Sequence, residues 1–302
     1  MNRFGLWLRA IRPFSFTGSV TPVLLGALWA FHDGAFSGLY LALSLLAILL
    51  LHAGVNVSSD YDDYVNKIDV PGSYGSSGVL LDGSLTPRQV RRGGLVLLLL
   101  GVGLGLLLAV LRGPFIYGIG AAGVIAGYFY TGKPLKLKYR GLGAPAVLLA
   151  FGPLMTLGSY YVQAQQFSWL AVVLSIPLGL LTTAILHAND MRDMGFDQAA
   201  GIKTLSLSVG RKTATLLYNV MIYGAFFTLA VLLVLQILPV WSLVCLATLP
   251  LAFQLSRQIK TTNPDEALRT LDQKTAGLQL QFSLLLMVSL GLPLLLHTKA
   301  SL

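Results

Sequence analysis

Apolar residues in this chain gather into long runs, with polar residues squeezed between them. Nine runs stand out, at 14–31, 37–59, 93–111, 114–131, 142–163, 168–189, 214–236, 239–256 and 277–297. Each is close to the ~20 residues an α-helix needs to cross a bilayer. The pattern predicts an all-α integral membrane protein of about nine transmembrane helices bundled around a central cavity. Only Arg112-Gly113-Pro114 separates the third run from the fourth, and only Pro239 and its neighbours separate the seventh from the eighth. Such short connections make antiparallel hairpins. The connections after the second, fourth, sixth and eighth runs are longer and polar, so 1–302 reads as one transmembrane domain with cap loops at about 60–90 and 190–213.

Composition supports this class: 55% of residues are hydrophobic and 11% charged, against about 25% charged in soluble domains. Nineteen of the 21 lysines and arginines fall in the N-terminal lead or in the four long connections, leaving Arg112 and Lys299 opposite. The positive-inside rule then makes that side cytoplasmic, in the cytoplasmic (inner) membrane, with the N-terminus inside and the C-terminus outside. The lead MNRFGLWLRAIRPFSF lacks the continuous apolar core of a cleaved signal and reads as a retained amphipathic segment. The net charge of +9 thus reflects topology and anion handling, and nucleic acid is not an expected partner. The lone Cys245 excludes an intrachain disulfide and reads as a small buried hydrophobe.

Six of the twelve acids sit in two short clusters at the ends of the second and sixth runs. Acids this close to hydrocarbon are costly and mark functional sites. On a helix, Asn56, Asp60 and Asp63 share one face at i, i+4 and i+7, and Asp190, Asp193 and Asp197 do so at i, i+3 and i+7. Two facing carboxylate clusters suit a hard cation, above all Mg²⁺ bridging the oxygens of a diphosphate. Both clusters carry Asn-x-x-x-Asp, in Asn56 with Asp60 and in Asn189 with Asp193, at an offset of 133 residues, and a His-Ala pair precedes each (His52-Ala53 and His187-Ala188). That offset implies two four-helix halves closed by a ninth helix.

At these residues the chain resembles the UbiA superfamily of intramembrane prenyltransferases, which carry one Asn/Asp-rich motif after the second helix and another after the sixth. Within it, the chain is most similar to the 1,4-dihydroxy-2-naphthoate polyprenyltransferases. The match lies in WLRAIRPFSFTGSVTPVLLGA, in the spacing of Asn56, Asp60, Tyr61 and Asp63, in YTGKPLKLKYRGLG (130–143) with GSYYVQ closing that helix, and in Gly201, Lys203, Thr204 and Leu205 leading to Val209-Gly210. The resemblance implies a polyprenyl diphosphate donor and an aromatic acceptor, with loss of the dihydroxynaphthoate carboxylate as CO₂ to give demethylmenaquinone. It also implies a flexible cap in the loop 67–86. One departure concerns the acceptor: this branch usually carries Glu after Gly-Leu-Gly, where this chain has Ala144.

The chemistry accounts for the residue types. Ionising an allylic C–O bond leaves pyrophosphate and an allylic cation. Mg²⁺ (or Mn²⁺ in its place) held by Asp60, Asp63, Asp190 and Asp193 would neutralise the departing oxygens. Asn56 and Asp197 complete the acidic set, while Arg12, Lys133, Arg192 and Lys203 are the expected diphosphate clamp. Tyr130 is singled out because it abuts the lysine-rich connection. Other side chains take plainer readings: Asp62, Asp69 and Asp82 as solvated surface groups, Lys136 and Lys138 as interfacial anchors, and His52 and His187 as interhelical hydrogen-bonders. Ser77-Gly78-Val79 could line the site entrance. Alternative acceptors are 4-hydroxybenzoate, homogentisate and a glycerol-phosphate lipid. The rival class is a cation-coupled transporter, but such carriers bury their acids near the membrane midplane.

Overall fold

The computed structural model describes residues 2–260 and 264–298; Lys299, placed opposite the other basic residues above, lies outside them. The lead forms α1 (Arg3–Ile11), capped by Asn2, whose side chain accepts from the Gly5 N–H at 2.9 Å. A short turn, Pro13–Phe16, leads into α2 (Thr17–His32). There follow α3 (Gly38–Val65), α4 (Pro87–Arg112), α5 (Phe115–Tyr128), α6 (Gly143–Ala164), α7 (Trp169–Ala199), α8 (Leu205–Val234), α9 (Val240–Gln258), the short α10 (Pro264–Leu268) and α11 (Leu271–Thr298). Among the described residues, eight helices are long and apolar enough to cross a membrane.

The expected span at 114–131 is the exception, because α5 is only 14 residues long. Phe129 and Tyr130 are apolar enough to extend the run in sequence, yet they belong to the turn that opens the Lys133-Pro134 connection. In the other direction, α3 and α7 continue beyond their apolar runs. Both acidic motifs are therefore helical, as the shared-face reading requires.

Start signals lie where capping chemistry puts them. Ser37 and Ser168 cap α3 and α7, and Thr86 with Gln89 forms a capping box before Pro87. Within α6, Ala150–Leu154 widens into a π-helical turn that contains Pro153, which has no N–H to give an ordinary helical ladder. This widened turn packs on α7 at Gly179, where an added Cβ would stand 3.1 Å from the Gly152 Cα. Close backbone approach through small residues is how membrane helices associate.

α7 is the central helix, packed by α2, α6, α8 and α11. Its Leu174, Leu178 and Leu181 join Tyr218, Ile222, Leu278 and Phe282 in the main core. α3 packs extensively on α4 and α7 on α8, matching positions in the two expected halves. Outward faces carry apolar stripes instead of charge: Leu95, Leu99, Leu106 and Val110 on α4, and Leu216, Val220, Phe227 and Val234 on α8, are all exposed. Arg112 lies at the end of the bundle away from the acids, where Nε and Nη2 donate to the Val162 and Gln163 carbonyls at 2.6 and 2.8 Å.

Candidate active site

The last turns of α3 carry the first motif. Asp60 and Asp63 are buried, whereas Asp62 turns to a half-exposed side and accepts from the Thr131 hydroxyl at 3.1 Å. Arg12 reaches them from the α1–α2 junction. Its backbone is left-handed (φ 53°), which ends α1 there. The guanidinium forms an ion pair with Asp60, and Nη1 donates to the Gly75 carbonyl at 2.9 Å. Ser77 donates to Asp60 through its hydroxyl and, at 3.1 Å, through its N–H. The Asn56 amide donates to the Ile11 carbonyl and to Ser15 Oγ, at 2.9 and 3.1 Å, so it seats the same junction.

The 130–143 connection supplies the next base, and it is not the one expected. Lys133 and Lys203 are exposed and do not line the cavity. Lys138, read from sequence as an interfacial anchor, donates to Asp63 at 2.9 Å beside the Tyr139 hydroxyl, which also bonds to Asp63. Burial works against the Lys138 charge, but Asp63, Tyr130, Tyr139 and Asp197 more than offset it, and its pKa is held well above the usual range. Alternation explains the placement. Tyr139 is buried and Lys138 faces the cavity, while Lys203 contributes only its backbone N–H, to the Tyr139 carbonyl at 3.2 Å.

Arg192 is also placed differently from expectation. Nε and Nη2 bind the two oxygens of Asp193, both at 2.9 Å, and Nη1 binds Asp272 at 2.8 Å. Its donors are committed to carboxylates, so it braces the second motif and does not stand as a free diphosphate clamp. Asp190 and Asp197 are buried on the same helix, and Asp190 has no hydrogen-bond donor among the described residues.

Asp69 is legible in sequence only as a loop charge, yet it is buried, with Oδ2 unpartnered among the described residues. Burial, reinforced by Asp63, pushes its pKa up to about 6. The loop after α3 brings it in and then passes over both motifs. A Cβ on Gly75 would stand 3.1 Å from Asp193 Oδ2 and 3.7 Å from Asp69 Oδ1. Val79, Leu80 and Leu85 anchor that loop in a small core with Ala10, Val57 and Val90. Asp82 behaves as expected, paired with Arg9 at the surface. His52 and His187 bond between helices, to Ser15 and Ser19 and to Ala214 and Ser206 respectively.

Asn56, Asp63, Asp190, Asp193 and Asp197, with Arg12, Tyr130 and Lys138, form one end of a cavity of about 360 Å³. Its wall then turns apolar through Leu51, Val124, Phe151 and Leu154 to Leu108, Ile116 and Val162 at the far end. The Tyr130 hydroxyl is buried there without a partner among the described residues, and burial with Asp190 nearby raises its pKa, so it stays neutral. Asp60 is covered by Arg12 and Ser77 and is not part of this wall.

Among the described residues, no three acidic or imidazole groups stand close enough to chelate one ion. The donor set fits Mg²⁺ in another way. Mg²⁺ keeps several waters and takes one or two carboxylates plus substrate phosphates, so it needs no all-protein cage. Asp190, a cavity-facing carboxylate without a protein donor, is the group left open for that use.

The profile of the UbiA prenyltransferase family matches residues 19–286. The chain belongs to that family. UbiA prenyltransferase domain-containing protein 1 of Homo sapiens is 34% identical over 286 residues, covering 92% of this chain and 81% of that protein. Its Drosophila melanogaster homologue is 32% identical over 292 residues, covering 94% and 78%. Solved structures share the fold at low identity. A UbiA homolog from Archaeoglobus fulgidus bound to GPP and Mg²⁺ gives a TM-score of 0.66 at 16% identity, covering 93% of this chain and 99% of that one. The apo UbiA homolog from Aeropyrum pernix K1 gives 0.69 at 14%, covering 89% and 97%. The protein is therefore a membrane-embedded prenyltransferase. These relatives carry the family and not the dihydroxynaphthoate branch within it.

Proposed function

We propose that this UbiA-family protein transfers a polyprenyl group from an allylic diphosphate to an aromatic acceptor, 1,4-dihydroxy-2-naphthoate, releasing CO₂ and pyrophosphate and giving demethylmenaquinone in its reduced, quinol form. The observation that carries the donor half is the cavity's polarity. One end holds carboxylates, Lys138 and Arg12, and the remaining wall is apolar, which is the shape of an amphiphilic diphosphate with a long hydrocarbon tail. The A. fulgidus homolog's GPP and Mg²⁺ support the same reading here. Mg²⁺ would be held by Asp63, Asp190 and Asp193, with Asp60 available once Arg12 and Ser77 release it, and would supply charge neutralisation of the leaving diphosphate. Lys138 and Arg12 stabilise the same growing negative charge. The apolar wall keeps water from the allylic carbon, and Tyr130 places a neutral hydroxyl beside it.

The acceptor half rests on the sequence stretches that match the dihydroxynaphthoate branch, and on aromatic residues in the wall such as Phe14 and Phe151. Ala144 is buried outside the cavity lining, so the branch's missing Glu takes no group from the wall. Incubating the purified protein with prenyl diphosphates and a panel of dihydroxynaphthoate, 4-hydroxybenzoate, homogentisate and glycerol phosphates tests this by product mass. A product from any acceptor but the first refutes the naphthoate assignment alone. Turnover should stop in EDTA and return with excess Mg²⁺ or Mn²⁺, and full turnover in chelator would sink the metal role.

The acids of both motifs and nearly all the bases among the described residues lie at one end of the bundle, and this end is cytoplasmic in our reading, with the protein in the inner membrane. A cysteine at Ser73, in the cap loop, should label from the cytoplasm, and one at Gln166, between α6 and α7, from the other side. Labelling of both from one side would overturn the topology.

A further inference from the structure

The last helix, α11, carries one acidic residue, Asp272, in its first turn, and that side chain is buried. Asp272 and Arg192 have side chains only 5% and 7% exposed, and they stand 2.8 Å apart. Arg192 simultaneously holds both oxygens of Asp193 at 2.9 Å. Two carboxylates thus share one guanidinium, and Asp272 Oδ1 is buried without a partner among the described residues. Holding Asp193 in place needs only the arginine. A second desolvated carboxylate is expensive, and a purely structural brace does not call for it.

We propose that Asp272 is a positioning residue for the second acidic motif: it retains Arg192 when Asp193 turns its oxygens to a divalent cation, and so sets the metal affinity of that motif. The inference rests on the reading of Asp193 as a metal-binding carboxylate. If Asp193 were the only partner, engaging a cation would leave a buried guanidinium uncompensated, and that penalty would oppose binding. With Asp272 present, Arg192 is paired in both states. The same arginine lies under the cap loop, its guanidinium carbon 5.9 Å from the Tyr74 ring, so its fixed position also supports the loop that passes over Asp193.

The test titrates the full-length protein with Mn²⁺ in the presence of an unreactive prenyl thiolodiphosphate, reading free Mn²⁺ by electron paramagnetic resonance. D272N should weaken Mn²⁺ binding about tenfold, the loss expected when one charge-assisted partner goes, and D272E should recover most of it. In turnover, the apparent KM for metal should rise more than kcat falls. With Arg192 removed there is nothing left to retain, so R192Q/D272N should bind Mn²⁺ as R192Q does; this comparison also decides the matter if D272N alone does not fold. A folded D272N with wild-type Mn²⁺ affinity overturns the inference, as does a further tenfold loss in the R192Q background. Wild-type-like binding by D193A removes Asp193 as a ligand and the inference with it, while leaving metal dependence intact. No binding by the wild type overturns the metal reading itself.

Discussion

Asp190→Ala should cut prenyl transfer by about 10³-fold, the scale of losing a preorganised electrostatic contact in a reaction that develops charge. It should do so without destabilising the bundle. Asp190 is buried, faces the cavity and has no hydrogen-bond donor among the described residues. Burying such a carboxylate costs several kcal/mol, which the nearby Lys138 and Arg192 charges return only in part, so thermal melting of Asp190→Ala should stay level or rise. Asp63→Ala provides the contrast. It strands Lys138 and the Tyr139 hydroxyl, and removing one partner of a buried pair costs about 3–5 kcal/mol. Activity and stability should therefore fall together. Asp62→Ala loses one hydrogen bond from Thr131, worth about 1 kcal/mol, and should keep most of its turnover. If Asp190→Ala remained active while Asp62→Ala did not, the assignment of the cavity-facing side would be wrong.

The contrast between Asp63 and Asp62 is readable from the chain because helix periodicity is a local property. Spacing alone places Asp60 and Asp63 on one face and Asp62 on another, and burial follows that division. The repeated Asn-x-x-x-Asp pattern likewise pointed to α3 and α7 as partners across a cavity, and both line it. Tyr130 stands out by its neighbours in sequence, and its buried hydroxyl, unpartnered among the described residues, sits in that wall.

What sequence could not show was pairing over distance. Arg12 meets Asp60 from 48 residues away and Arg192 meets Asp272 from 80, and no local pattern distinguishes a base that is neutralised from one that is free. Asp69 failed for a related reason. A Gly/Ser-rich loop normally exposes its charges, but Val79, Leu80 and Leu85 pin this one against α1 and α4, and that draws Asp69 under cover. The short α5 failed because hydropathy counts Phe129 and Tyr130 as membrane residues, although the backbone turns there.

The second large effect separates Lys138 from the exposed Lys133 and Lys203. Lys138→Met keeps the length of the side chain and removes its charge, and it should lower kcat/KM by about 10²–10³-fold, since the ammonium faces both Asp63 and the diphosphate end of the cavity. Lys133→Met and Lys203→Met remove exposed charges outside the cavity and should change turnover little, because screened surface groups contribute about 0–1 kcal/mol. The Lys138→Met protein should also melt lower, as Asp63 keeps only Tyr139. Arginine restores the charge but not the shape, because a planar fork replaces a point charge beside two phenols, so Lys138→Arg should recover part of the loss. The raised pKa of Lys138 keeps the wild-type ammonium charged across roughly pH 6–9, below even its ordinary value of about 10.4. The Lys138→Met defect should therefore be the same size throughout that window. Steady-state kinetics of the three methionine variants at several pH values decide it. A large loss in Lys133→Met with none in Lys138→Met would mean that the connection enters the site in the opposite register.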